Sequence, residues 1–423
     1  MGDLGIRQLT FLTPQTETDL LYLRPISQLM SQEGLNLQFD DTSIAFANKD
    51  DRSLKRAYWL FKLISKPWMA AVGSTMARLA VQMRLPVKGL IRNTIYEQFC
   101  GGETLEKSLP TIRQLADSNV LTVLDYCVEG KETETDFDKT MEEMLREMDF
   151  AKANPNVPCI SCKLTGLGRF GLFAKLHGKE VLTDSEQAEW ERFKSRFERL
   201  CQQAFDMQMG LYIDAEETWI QQPIDDLVEE AMSRYNWEQV VIYNTTQHYL
   251  KDRVDYLKGA IERAKQGNYL FGIKLVRGAY MEKERKRAAD MGYPSPIHET
   301  KADTDNGYDE AVTLCVDHVD RVSVCVATHN EKSCRLFAEQ VVAKNLDRNH
   351  PHLMVCQLLG MSDHITFNMA DAGFRAGKYI PYGPVKDVIP YLTRRARENT
   401  SVEGQTGREL QLLRKELKRR KLG

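Results

Sequence analysis

Hydrophobic and polar positions fall into two regimes along this chain. From Asn119 onward, short runs rich in Val, Ile, Leu and Tyr alternate with longer amphipathic, charged stretches. Eight such runs occur: Leu121 to Cys127, Cys159 to Leu167, Gly210 to Glu216, Gln239 to Asn244, Phe271 to Gly278, Val322 to Thr328, Leu353 to Leu359 and Gly377 to Pro381. Each precedes a stretch with helical spacing, so the pattern predicts eight strand-then-helix units. A doubly wound sheet usually stops at five or six strands, whereas eight units close a (β/α)8 barrel. The expected fold is therefore α/β, a TIM-type barrel.

Residues 1–115 read differently. They are strand-poor, and Ser53 to Met83 carries Ala, Leu, Met and Lys at helical spacing until Pro86 stops it. This region is expected to form a helical N-terminal arm. The barrel is expected over 116–400, and 401–423 as a basic C-terminal helix with Leu410, Leu413 and Leu417 on one face. Such a helix reads either as a docked terminal element with a solvated basic face or as a contact for a membrane surface.

Polar residues that a packed interior would not tolerate recur at the ends of the runs. They are Asp125 and Glu129, Lys163, Asp214 and Glu216, Asn244 and Gln247, Lys274 and Arg277, His329 and Asn330, Gln357, then Tyr379 and Tyr382. In a barrel these ends converge on one mouth, where barrel enzymes place their chemistry.

Composition narrows the class without naming the chemistry. The 423 residues are 42% hydrophobic and 28% charged, the balance of an ordinary globular protein, with a net charge of -3 that gives no global pull toward nucleic acid. No secretion signal or transit peptide is visible, and Arg78 and Arg84 interrupt the most apolar stretch, Met69 to Val87. Nine scattered cysteines suggest free thiols in a reducing compartment, with Cys159 and Cys162 read as two buried thiols. No metal site is expected from the eight histidines, and His329 reads as a cofactor contact or a structural residue.

Three further motifs carry competing readings. Gly166, Gly168 and Gly171 match a dinucleotide fingerprint, but no tight βαβ unit follows, and they read as a mobile loop after the second strand. Lys163 and Lys274 can be imine-forming lysines of an aldolase-type barrel, although the crowd of cations and acids around them suits a carboxylate and a phosphorylated cofactor better. Arg394 and Arg395 lie early in the helix after the eighth run, where adjacent positions diverge by about 100°. Together they can grip both oxygens of a carboxylate, or belong to a solvated basic helix face.

Taken in order, CKLTGLG, YIDAEE, YNTTQ, IKLVRGAYMEKER, VATHN, QLLGM and KYIPYGPVKDVIPYLTRRARENTS resemble the proline dehydrogenase family from Leu121 to the C-terminus. The chain reads as a monofunctional member. The resemblance implies a distorted barrel that binds FAD at its mouth and oxidises L-proline to Δ1-pyrroline-5-carboxylate by hydride transfer to flavin N5. Electrons would pass to a quinone. It implies that Lys163, Arg394 and Arg395 hold the proline carboxylate, that Tyr379, Leu358, Ala279 and Tyr280 line the ring, and that Asp214 and Lys274 act catalytically at the reacting centre. Ala215, Asn244, Gln247, Lys274, Arg277, Gly278, Ala279, Thr328 and His329 would contact FAD, and Glu129 would pair with Arg394 as a gate. Lys274 and Asn244 stand where bifunctional bacterial members have Arg and Gln. A cytoplasmic protein is implied, peripheral at the inner membrane face through the basic helix, or on the matrix side in a mitochondrion.

Two other activities remain open at this point. A hydroxyproline dehydrogenase shares nearly every motif, but its relatives tend to have a small residue where this chain has Tyr379. A flavin-free, lysine-dependent barrel lyase is the alternative of a different class.

Overall fold

The structure is a computed structural model that describes residues 35–64, 95–127, 132–385, 387–392, 394 and 405–422. Eight parallel strands close a barrel in sequence order: β1 (Val120–Tyr126), β2 (Cys159–Cys162), β3 (Gly210–Ile213), β4 (Ile242–Gln247), β5 (Phe271–Val276), β6 (Val322–Ala327), β7 (Leu353–Leu358) and β8 (Ala376–Tyr382). The β1–β8 seam is continuous from Val120 opposite Ala376 to Tyr126 opposite Tyr382. Helices follow the strands, and several are started by side chains that satisfy first-turn amides. Thr133 and Asn330 accept from such amides, and Thr183 and Glu186 form a reciprocal capping box.

Alternation along each strand decides what enters the barrel. One interior cluster holds Val123, Cys159, Tyr212, Tyr243, Cys325, Met354, Cys356 and Tyr379. The interior is thus rich in tyrosine and thiols, and its polar tips are paired: Tyr243 and Ser323 share a hydrogen bond of 2.9 Å. All nine cysteines are free and buried, Cys159 and Cys162 among them.

The eight expected strands all form, with shifted ends. β4 starts and finishes three residues later than its apolar run, and Val240 and Val241 are buried ahead of it. The expected mobile glycine loop is instead a 3-10 turn (Leu164–Gly166) leading into a helix (Phe170–His177). Gly168 has a packing reason: a Cβ there would lie 2.8 Å from the Phe193 ring.

Leu37–Gly423 forms one compact unit. The helix Gln405–Arg419 packs on the helix Asp51–Ile64, placing Leu412, Leu413 and Leu417 in one cluster with Leu54, Ala57 and Phe61. Its basic residues find local partners: Arg419 and Arg420 on buried Glu416, Lys415 on Asp40, Arg408 on Glu331. The apolar stripe is therefore occupied by the chain itself, which removes the face an interfacial helix would insert into lipid. Leu413→Ala is expected to destabilise the unit by about 2–5 kcal/mol in denaturant unfolding, through the lost contacts and the cavity left behind. Exposed Lys418→Ala should stay within about 0.5 kcal/mol of the wild type.

Candidate active site

The C-terminal ends of the strands bring a set of charged groups to one mouth. Asp214, one residue past β3, is its centre. Its Oδ1 accepts from Ser161 Oγ at 2.9 Å and from Lys274 Nζ, and its Oδ2 accepts from Lys163 Nζ at 3.0 Å and Tyr379 OH at 3.1 Å. The donors come from β2, β5 and β8, so four strands converge on one carboxylate. Burial alone would raise the Asp214 carboxyl, but the ammoniums of Lys274 and Lys163 and their hydrogen bonds hold it well below the usual carboxylate range. Lys274 is itself nearly buried, with its ammonium 5.1 Å from the centre of the Tyr379 ring. Both lysines are ion-paired ammoniums, and an ammonium has no lone pair with which to attack a carbonyl, which weighs against the lyase reading.

A second carboxylate, Asp125 at the end of β1, faces the same space. Burial pushes it up to about 6, against the pull of Lys163. Above β3, Glu216 accepts from the Thr165 amide at 3.1 Å and the Thr165 hydroxyl at 2.6 Å, and burial pushes it up to about 7.

Around this centre, Tyr280 is half-buried and faces the charges of Lys163, Glu216, Glu217 and Arg394. Arg395 and Glu129 lie outside the described residues. Leu358 packs against the interior cluster beside Tyr379.

The groups expected to contact a cofactor lie on the β3–β6 side. Gln247 is clamped, donating to the Glu216 carbonyl at 2.8 Å and accepting from the Ala279 amide at 3.0 Å. Arg277 donates to Asp305 at 2.7 Å, Thr328 at 2.5 Å and Ser333 at 2.9 Å, with its guanidinium over Tyr308. His329 Nδ1 lies 2.9 Å from Ser362 Oγ. Ala215 is buried at the β3 end. Gly278 has φ +143°, and a Cβ there would stand 2.2 Å from the Tyr249 ring, so only glycine fits.

Strand parity moves three of the expected mouth residues elsewhere. Asn244 sits mid-strand and donates outward to Asp225 at 2.9 Å and to Tyr256 at 3.0 Å, so it is not a cofactor contact in this arrangement. Gln357 also faces outward, donating to the Thr328 carbonyl at 3.0 Å, and Tyr382 reaches Glu143 at 3.3 Å. The sequence reading assigned no role to Ser161 or Thr165. Ser161 was legible as the residue two before Lys163, on the same face of β2.

The proline dehydrogenase family model matches residues 108–408. The chain is 37% identical over 336 residues to the carbapenem antibiotics biosynthesis protein CarD of Pectobacterium carotovorum, covering 79% of this chain and 87% of that protein. It is 32% identical over 377 residues to proline dehydrogenase 1, mitochondrial, of Arabidopsis thaliana (79% and 76%), and 40% identical over 241 residues to the human protein of that name (56% and 40%). Among solved structures, proline utilization A from Bdellovibrio bacteriovorus inactivated by N-propargylglycine superposes with a TM-score of 0.68 at 19% identity. That match covers 92% of this chain and 42% of the other, and establishes likeness of fold. With a family model spanning most of the chain and the Arabidopsis relative similar over most of its length, the chain belongs to the proline dehydrogenase family.

Proposed function

We propose that this chain oxidises L-proline to Δ1-pyrroline-5-carboxylate with FAD as its cofactor and a quinone as electron acceptor. The observation that carries the reading is the four-strand convergence on Asp214, which places two ammoniums and a tyrosine around one buried carboxylate at a barrel mouth. The donor chemistry beside it suits a flavin dinucleotide. Arg277 and His329 are cationic or polar groups for a pyrophosphate, and Gln247 offers an amide for a ring edge. Lys274 is a fixed positive charge for the reduced ring. Ala215, Gly278, Ala279 and Thr328 would complete those contacts. A bound flavin supplies the acceptor for the hydride lost from proline C5.

The chain's own residues do the rest. Lys163 and Arg394, with Arg395, hold the substrate carboxylate, and a fixed carboxylate sets the distance and angle of the ring. Tyr379, Leu358, Ala279 and Tyr280 shape the ring pocket and keep water from it. Asp214 keeps Lys163 and Lys274 in place and ionised, and the gate pairing of Glu129 with Arg394 remains part of the proposal. Tyr379 favours proline over its 4-hydroxy derivative, because its phenol is tied to Asp214 and fills the space a ring hydroxyl would need. Among the described residues no helix is long and apolar enough to cross a membrane. A membrane quinone would then be met at a surface, on the cytoplasmic or matrix side.

The test is an absorbance spectrum before and after anaerobic L-proline, repeated with trans-4-hydroxy-L-proline. Flavin bands near ~450 nm that bleach with proline and barely with hydroxyproline are expected. A colourless protein, or a flavin that neither compound reduces, overturns the reading.

A further inference from the structure

We infer that Ser362 is a positioning residue for the cofactor: it holds the His329 ring in its binding orientation, and Glu409, on the C-terminal helix, holds Ser362. The inference rests on the reading above, in which His329 contacts the flavin.

Ser362 forgoes what a serine usually does at its position. It immediately precedes the helix Asp363–Asp371, where a serine normally has extended backbone and its hydroxyl accepts from a first-turn amide. Here the backbone is left-handed, at φ +50° and ψ +41°, and the hydroxyl makes no capping bond. A residue with a side chain is strained in that region, and the strain persists only where the surroundings hold it. The turn after β7 is held in this way. Gln98 donates to the Gly360 carbonyl at 2.9 Å, Lys378 donates to the Met361 carbonyl at 2.5 Å, and the Ser362 amide donates to Glu409 Oε1. Ser362, Lys378 and Glu409 are all buried.

The hydroxyl left out of capping lies 2.9 Å from Nδ1 of His329, two residues past the end of β6. Whichever atom carries the proton, the contact occupies Nδ1 and fixes the rotation of the ring, so the direction of Nε2 is set as well. The neighbouring Thr328 is fixed separately, by Arg277 donating to its hydroxyl at 2.5 Å. A ring held before the ligand arrives lowers the ordering that binding must bring about. Glu409 is itself located by its surroundings. His364 Nδ1 lies 4.0 Å from its Oε1, and His364 Nε2 lies 3.0 Å from Glu331, which also accepts from Arg408 at 2.7 Å. The C-terminal helix thus reaches the cofactor side of the mouth through one serine.

The test uses the flavin-loaded full chain. Ser362→Gly removes the hydroxyl and supplies the residue that adopts left-handed backbone most readily, so denaturant stability should hold. The flavin Kd from equilibrium dialysis should nevertheless rise about threefold to tenfold, the effect of one lost hydrogen bond. Glu409→Ala should raise it at least as much. Glu409→Gln keeps an oxygen for the Ser362 amide and should bring Kd back to within about twofold of the wild type. Leu413→Ala weakens the packing of the same helix without touching Ser362, and should leave Kd unchanged. Nitrogen NMR of the histidine-labelled chain, with the His329 signal identified by its loss in His329→Gln, reads the relay directly. That signal should move in Ser362→Gly and in Glu409→Ala and stay in place in Leu413→Ala. An equal rise in Kd in Leu413→Ala overturns the inference, as does a His329 signal that ignores Glu409→Ala. A chain that binds no flavin sinks the functional reading and this inference with it, whereas a flavin that bleaches with proline while its Kd ignores Ser362→Gly sinks this inference alone.

Discussion

Replacing Asp214 with alanine is expected to lower kcat/KM for proline by at least about 100-fold, the cost of removing a preorganised charged group from a dry site. The geometry explains the size of the effect. One carboxylate positions Ser161, Lys163, Lys274 and Tyr379, so its loss frees the substrate clamp and the flavin-side cation together. Lys274 would be left buried without the carboxylate it is paired to, and stability should fall as well. Asp214→Asn separates the two effects. It keeps the shape and one acceptor oxygen but not the charge, so it should lose nearly as much activity while retaining more stability. Anaerobic flavin reduction by proline, with flavin content measured on the same sample, reads both. A variant that keeps activity within tenfold would show that Asp214 is only scaffolding. Ser161→Ala removes one neutral donor and is expected to cost about 1 kcal/mol, or less than tenfold.

The second large effect lies outside the mouth. Lys378, on the outward side of β8, is fully buried and reaches Asp363 at 2.8 Å and the Met361 carbonyl at 2.5 Å, while Lys49 reaches Asp363 at 3.2 Å. Asp363→Ala strands a buried ammonium, and chemical unfolding should show a loss of about 3–5 kcal/mol. The double variant Lys378→Met, Asp363→Leu should recover most of that, since it removes both desolvation costs. Burial would raise Asp363, but Lys378 and Lys49 hold it below the ordinary carboxylate range. Its contribution is therefore complete above the unfolded value of about 3.9 and is lost as pH falls through the lower folded value. The wild type should lose stability on acidification below pH ~4 more steeply than the double variant. Equal slopes would remove Asp363 from the account of acid sensitivity.

Much of this was legible in the chain, and the failures share a cause. The strand count needed only runs of Val, Ile and Leu between charged helices, and eight runs became eight strands because a parallel barrel buries both faces of each. Lys163, Asp214 and Lys274 could be found because a charged residue at a strand end has nowhere to go but the mouth. Asn244, Gln357 and Tyr382 looked equivalent and are not. Side-chain direction flips with each residue, so an error of one in the register, or of three at the end of β4, turns a mouth residue toward the helices. Nor does spacing reveal that Lys378 and Asp363 pair. That contact depends on how the chain after β7 packs outside β8, which no local pattern encodes.

The docking of Gln405–Arg419 on Asp51–Ile64 has a consequence for how the molecule is made. Lys415 bonds Asp40, and Arg420 reaches the carbonyls of Phe46 and Lys49, contacts that span some 370 positions of sequence. The β1–β8 seam likewise joins segments on either side of the whole barrel. Loop-closure entropy opposes such pairings until both ends are present. During synthesis on the ribosome, the early helix Asp51–Ile64 must therefore wait with its apolar face uncovered until the final turns emerge. Chaperone demand and aggregation risk should peak late in translation, and slowing the last codons should lengthen that exposure.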